Sequence, residues 1–310
     1  MTSVAERQQP PAGSLVLDHV AHFVPDLAAA ARALAALGFT TTPVSAQTVR
    51  DEHGAVRPAG TSNRCVMLEE GYLELLAPTL DTPHAASVRA ALAHHTGVHL
   101  ACFGTPAAGE EHARLERHGF GPLPLVKLER EVESDGAART ARFEVVRLPP
   151  GKMPEGRIQF VRQLTPECLW QPRYVAHANG AVALAAVFVV AEDPVAVAAR
   201  YARFAALLPR PAGAMVSLPA ARGATLIGRA ADWQALLGAA PPPAPALAGY
   251  ALACRDPGAL AQYCARAGLA VRPAGDGLYA APLPRELGGA WLFGESDAIA
   301  AFAARGLPVQ

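Results

Sequence analysis

The chain has 310 residues, of which 51% are hydrophobic and 17% are charged. This apolar content is enough for one large domain or two ordinary ones, and it excludes a chain that is disordered throughout. The 27 basic and 27 acidic residues balance, so there is no net positive field to hold nucleic acid or an anionic membrane surface, and we expect a small-molecule partner.

The start of the chain predicts its location. Glu6 and Arg7 lie where a signal peptide would have its apolar core, and no apolar run reaches the roughly 18 residues of a membrane span. The expectation is a cytoplasmic protein with no membrane contact. The five cysteines lack CxxC spacing, which favours reduced, buried thiols. The sequence leaves open whether the chain forms a homodimer.

One pattern occurs four times along the chain: a strand-like apolar run that leads to a helix or a helix start. The first copy, LDHVAHFVPD, occupies residues 17–26, and the others begin near residues 98, 184 and 247. Three further strand-like runs follow in each copy. The sequence therefore predicts four units, each with the order β-α-β-β-β.

The repetition predicts the architecture. Because one such unit cannot cover its own sheet, units are expected to pair and to close a curved sheet around a common interior. The predicted fold class is α+β, with four β-α-β-β-β modules paired into two half-barrel domains. The first domain is expected over residues 15–165 and the second over residues 181–310, with a connector at residues 166–180.

The first two units differ from the last two at inward-facing positions. When the four units are aligned on their first strands, the third residue of the strand is His19, His99, Ala186 and Gly249 in turn. The matching residues on the last strand are Glu74, Gln159, Leu226 and Leu292. Buried polar side chains need partners. Two imidazoles, a carboxylate and an amide oxygen suit a divalent ion such as Zn, Ni, Fe(II), Co or Mn, so a metal site is predicted in units one and two.

These units resemble the vicinal oxygen chelate superfamily, and TSNRCVML with GYLELLAP, in residues 61–78, resembles its glyoxalase-like branch. The resemblance covers units one and two well and the others in outline. It implies metal ligands at His19, Glu74, His99 and Gln159, with Glu74 also the catalytic base. Gln159 departs from the carboxylate that glyoxalase I has there. The metal would act as a Lewis acid on two adjacent substrate oxygens.

Candidate substrate-binding residues lie in two segments. Asn63 and Arg64 belong to the TSNR sequence, and the fork of donors on arginine suits a planar oxyanion. The connector contributes the remaining candidates, which are expected to cap the cavity: Trp170, Arg173, Tyr174 and His177.

Two classes of function stay open. The first is a metal-dependent enzyme, either a glyoxalase-like lyase or isomerase or an Fe(II) dioxygenase, and the histidines and Glu74 favour it. The second is a non-catalytic small-molecule binding protein of the same fold, which the missing carboxylate at Gln159 favours.

Overall fold

A computed structural model describes residues 3–50, 55–134 and 136–306. It confirms the four β-α-β-β-β units and the α+β fold class. The strands are β1 Val16–Phe23, β2 Ser45–Arg50, β3 Val56–Met67, β4 Tyr72–Pro78, β5 Gly97–Gly104, β6 Val126–Ser134, β7 Ala137–Val146, β8 Arg157–Gln163, β9 Ala181–Val190, β10 Arg210–Ala212, β11 Met215–Pro219, β12 Ala224–Gly228, β13 Ala246–Cys254, β14 Arg272–Gly275, β15 Leu278–Pro282 and β16 Ala290–Gly294. The helices are α1 Leu27–Ala36, α2 Pro83–His94, α3 Ala108–Arg117, α4 Pro172–Val175, α5 Pro194–Ala205, α6 Ala230–Leu237, α7 Pro257–Arg266 and α8 Ser296–Arg305.

Three of the four units begin their helix in the same way. Asp26, Asp193 and Asp256 are the N-terminal caps of α1, α5 and α7, and each side chain accepts hydrogen bonds from backbone N–H groups of the first turn. Such a cap satisfies donors that have no partner inside the helix. The strand-to-helix turn that the sequence repeats is therefore a local, self-sufficient structure.

The strands form two curved sheets of eight. The first has the order β2-β3-β4-β1-β5-β8-β7-β6 and the second β10-β11-β12-β9-β13-β16-β15-β14. We call the part of the chain that carries the first sheet the N-terminal half. In each sheet the first strands of two units lie antiparallel at the centre, and each is flanked by the last strand of its own unit in parallel. Inward positions of these four central strands thus face one interior.

The outer faces of the two sheets pack against each other in a shared apolar core. A polar contact lies within it: the buried His22 ring contacts the Leu287 carbonyl oxygen at 3.0 Å and the Tyr250 hydroxyl at 3.2 Å. This fixes the neutral tautomer, because the carbonyl can only accept a proton and Nδ1 must therefore carry it. His22 is a packing residue between the two halves.

The structure departs from the repeated unit in two details. The first strand after α1 begins only at Ser45, because Phe39 packs against Trp291 with ring centroids 5.9 Å apart. The helices α6 and α8 are additions to the β-α-β-β-β order. None of the described helices is long and apolar enough to cross a membrane.

Candidate functional site

The site is built on two rows of side chains that cross the central strands of the N-terminal half. Strand pairing aligns the first row in the order Tyr72, His19, Cys102, Gln159. It aligns the second row in the order Glu74, Ala21, Leu100, Arg157. Because strand side chains alternate between faces, both rows share one face, which is the interior of the curved sheet.

His99 does not belong to either row, so the predicted register of the second unit is wrong by one residue. His19 lies opposite Cys102, and Ala21 lies opposite Leu100. The two units are related by a local two-fold axis, which exchanges the pair His19–Cys102 with the pair Leu100–Ala21. The counterpart of His19 in the second unit is therefore Leu100. His99 is skipped by the pairing as a β-bulge, as is Asp18 on the first strand. A bulge adds one residue and shifts every later side chain relative to the alternation.

The His99 ring lies at the end of the curved sheet and not among the residues that line its cavity. Its Nε2 contacts the His95 carbonyl oxygen at 2.8 Å, and the ring stacks against His95 and Phe23. Burial lowers its pKa. The neutral His99 ring already donates its N–H to the His95 carbonyl, which fits a structural role.

The interior holds a cavity of about 130 Å³. His19, Glu74, Asn63 and Gln159 of the predicted site line it, together with apolar side chains such as Leu100. A wider cavity of about 670 Å³ adjoins it and shares several wall residues, Asn63 among them. The cavity is large enough for a small ligand and lies beside a wider one.

His19 is fixed by the neighbours of its ring. Nδ1 lies 2.6 Å from Asp18 Oδ1, and the ring stacks on Tyr72 with centroids 4.3 Å apart. Burial lowers the pKa of His19, but Cys102 and Asp18 outweigh it and raise the pKa well above its usual value. His19 therefore brings a positive charge to the row, and Asp18 is the residue that holds it.

Glu74 is the buried carboxylate of the cavity. One oxygen, Oε1, accepts a hydrogen bond of 2.6 Å from Asn63 Nδ2 and a longer one of 3.4 Å from Gln47 Nε2. Within the described part of the chain, no hydrogen bond reaches the other oxygen. The second acidic residue on the wall, Glu129, contacts Arg142 at 3.2 Å. Glu74 thus has an oxygen left for a ligand.

The four-ligand metal centre does not fit these residues. The fourth ligand position is the apolar Leu100, and Gln159 supplies a neutral oxygen that has no hydrogen-bond partner. In the described residues no group of three His, Cys, Asp or Glu side chains could hold a metal ion. The wall also carries arginines, whose positive charge opposes the binding of a cation.

The remaining predicted substrate residues lie outside this cavity. Arg64 alternates with Asn63 and Cys65 and so faces away from it; its guanidinium reaches Thr41 Oγ1 at 3.3 Å. Of the four connector candidates only Tyr174 lines the adjoining wider cavity, together with Cys168, Leu169 and Gln171 of the same segment.

The other three connector residues have structural contacts. Trp170 Nε1 donates to the Leu68 carbonyl, His177 bridges Met67 and Thr40, and Arg173 pairs with Glu133. Among the four connector candidates, Tyr174 alone lies at a cavity wall.

Sequence reasoning missed three arginines of the cavity, Arg130, Arg147 and Arg157. Arg157 was detectable, because it precedes Gln159 by two residues on the same strand and so shares its face. Arg147 follows the end of β7, where alternation gives no signal.

Solved structures with the same fold were found by comparison. A hypothetical protein from Staphylococcus aureus matches with a TM-score of 0.60 and 11% identity, over 91% of this chain and 99% of that one. A mutant 4-hydroxymandelate synthase from Streptomyces coelicolor matches with a TM-score of 0.55 and 16% identity, over 94% and 97%. The Mn(II)-bound glyoxalase from Novosphingobium aromaticivorans matches with a TM-score of 0.51 and 11% identity, over 90% and 81%. No curated protein matches the chain.

The paired units and the curved sheets have the fold of these structures. The family model of the glyoxalase-like domain matches residues 17–205. The chain belongs to this glyoxalase-like family.

Proposed function

We propose that the cavity of the N-terminal half is the active site of a glyoxalase-like isomerase or lyase, in which Glu74 transfers a proton on a small oxygen-bearing molecule. The observation that carries this proposal is the geometry of Glu74. Its carboxylate is buried, one oxygen is held by Asn63, and the other is left for the ligand. A general base must have such a free oxygen within reach of the substrate.

The neighbours of Glu74 support this role. Asn63 and Gln47 bind the same oxygen and so fix the orientation of the carboxylate. Tyr72 and His19 lie on the adjacent row, and His19 brings positive charge into the site. A cation close to the substrate stabilises the enolate that forms when a proton leaves the carbon beside a carbonyl.

The divalent metal expected from the sequence is not part of the proposal. The reason is the donor set itself: Leu100 stands at the fourth ligand position, and His99 lies elsewhere. The dioxygenase alternative requires a redox metal, whereas proton transfer by a carboxylate does not. The isomerase or lyase is therefore the reaction class that the residues favour.

Replacing Glu74 by glutamine is expected to abolish proton transfer while keeping the fold, because glutamine can still pair with Asn63. We expect the rate of hydrogen exchange with D₂O, at the carbon beside the carbonyl of a small substrate, to fall by roughly 100-fold or more. Exchange is followed by NMR over a panel of 2-oxoaldehydes and 2-oxo and 2-hydroxy acids.

The matched control is Glu144→Gln, since Glu144 pairs with Arg162 at 3.3 Å and is not a cavity residue. Equal exchange by Glu74→Gln and wild type would disprove the role of Glu74. Binding of panel members with no exchange by the wild type would instead establish the non-catalytic binding protein. Melting curves of both variants confirm that they are folded.

A further inference from the structure

Three arginines line the cavity: Arg130, Arg147 and Arg157. Arg130 contacts the side chains of Asn63 and Phe143. Arg147 and Arg157 have no carboxylate partner within the part of the chain that the structure describes. Arg147 Nε is buried with no hydrogen-bond partner. Arg157 makes a weak contact of 3.4 Å with Ser87 Oγ and lies over the Phe23 ring at 5.5 Å from its centroid.

The two guanidinium groups also repel each other. Burial lowers the pKa of Arg147, and burial together with the charge of Arg147 lowers the pKa of Arg157 to about 10. Charged groups that are partly removed from water are ordinarily paired, because an unpaired one is costly. The charge of Glu74 acts on both arginines but forms no ion pair with either, so the two half-buried guanidinium groups leave a positive charge at this wall that suits an anionic ligand.

The surroundings add further positive potential. His84 lies on the same wall in the first turn of α2, where backbone N–H groups and the helix dipole favour negative charge. Burial and the charges of Arg157 and Arg147 lower the pKa of His84 to about 4, so the ring is neutral near pH 7 and can bind a ligand by hydrogen bonding. The one buried carboxylate on the wall, Glu74, is not within ion-pair distance of either arginine.

We propose that Arg147 and Arg157 together bind the carboxylate of the substrate, so that the substrate class is a small organic acid. This inference rests on the proposed function and names its substrate. The guanidinium fork matches the planar carboxylate, which can accept two parallel hydrogen bonds. Since Arg157 and Glu74 lie in the same row of the sheet, a carboxylate held by the arginines directs the adjoining carbon towards the Glu74 base.

The size of the cavity sets the size of the acid. An apolar cavity of about 150 Å³ accommodates benzene, and this one measures about 130 Å³. Leucine, valine and phenylalanine side chains supply the apolar part of the wall. The expected ligand thus has one anionic group and a compact apolar body.

The test is calorimetric binding of a graded set of carboxylates, from acetate to benzoate, against their neutral amides. We expect carboxylates to bind at least tenfold more tightly than the matching amides. Arg147→Gln and Arg157→Gln should each lose at least tenfold, whereas Arg162→Gln, on the same strand but paired with Glu144, should bind as the wild type does. Binding of phenyl phosphate and inorganic phosphate is measured in the same way. If these bind more tightly than the carboxylates, the substrate is a phosphate ester and the proposed organic acid is wrong.

Equal affinity for carboxylates and amides, or unchanged binding by both arginine variants, would overturn the inference. A measurement without ligand guards against a poor choice of acid: Arg147→Met should raise Tm by a few degrees, because it removes an unpaired charge and keeps the apolar stem. A lower Tm would mean that the protein itself satisfies the guanidinium. Glu74→Gln should still bind the acid. Loss of binding in the arginine variants and loss of proton transfer in Glu74→Gln are therefore separate results.

Discussion

The Asp18→Ala variant is expected to lose about 3 to 5 kcal/mol of unfolding free energy, because it leaves buried polar groups without their charged partner. Asp18 is fully buried and holds two side chains: His19 Nδ1 at 2.6 Å and Gln163 Nε2 at 3.3 Å from each carboxylate oxygen. Its charge also acts on Arg222, which reaches the N-terminal half from the second sheet. Urea unfolding at pH 7 measures the loss.

Two further variants separate charge from hydrogen bonding at this position. Asp18→Asn keeps a hydrogen-bond acceptor but removes the charge, so an intermediate loss is expected. Asp26→Ala removes an exposed aspartate that caps α1, and about 1 kcal/mol is expected there. A loss at Asp18 no larger than that at Asp26 would contradict the role of Asp18 as the support of the His19 row.

Acid is expected to destabilise the protein through His22. Burial lowers the pKa of His22 to about 4, while the Leu287 carbonyl opposes this and nearby His99 adds to it. The unfolded chain, with an ordinary pKa near 6.5, binds a proton below that pH whereas the folded protein does not. Stability therefore falls as the pH drops from about 6.5 to about 4, and His22 accounts for about 3 kcal/mol of the fall.

The His22→Gln variant tests this contribution. Glutamine can occupy the space between the Leu287 carbonyl and the Tyr250 hydroxyl but does not titrate, so its unfolding free energy should change less between pH 6.5 and 4. Denaturant unfolding at a series of pH values gives the change of unfolding free energy with pH for the wild type and for the variant. The control is His118→Gln, because His118 is exposed. The same slope in His22→Gln as in the wild type would rule out His22 as the acid-sensitive group.

The fold was predictable because its information is local and repeated. Alternating strands recur in each unit, aspartate helix caps recur in three of the four, and four units can only bury their sheets by pairing. The equivalence of Glu74 and Gln159 was also predictable, since both follow a glycine at the start of the last strand of a unit. These two residues do line one interior.

The rest of the site depends on features that alternation does not show. The bulges at Asp18 and His99 have no sequence signal of their own, and a single extra residue moved His99 out of the cavity and Leu100 into it. Arg64 was expected at the substrate because of its neighbours in sequence, yet it faces outward from Asn63. Arg157 shares a strand face with Gln159 and was detectable, but its proximity to Arg147, which lies beyond the end of β7, required the assembled cavity wall.

A cavity that binds an organic anion and not a metal cation should leave the protein almost free of metal. Elemental analysis of protein purified without chelators, and then incubated with Mn, Zn, Ni and Fe(II), measures this. We expect much less than one equivalent of metal, with no difference between the wild type, His19→Ala and Glu74→Ala. One equivalent of metal in the wild type that disappears in both variants would disprove the anion site and restore a metal centre on His19 and Glu74.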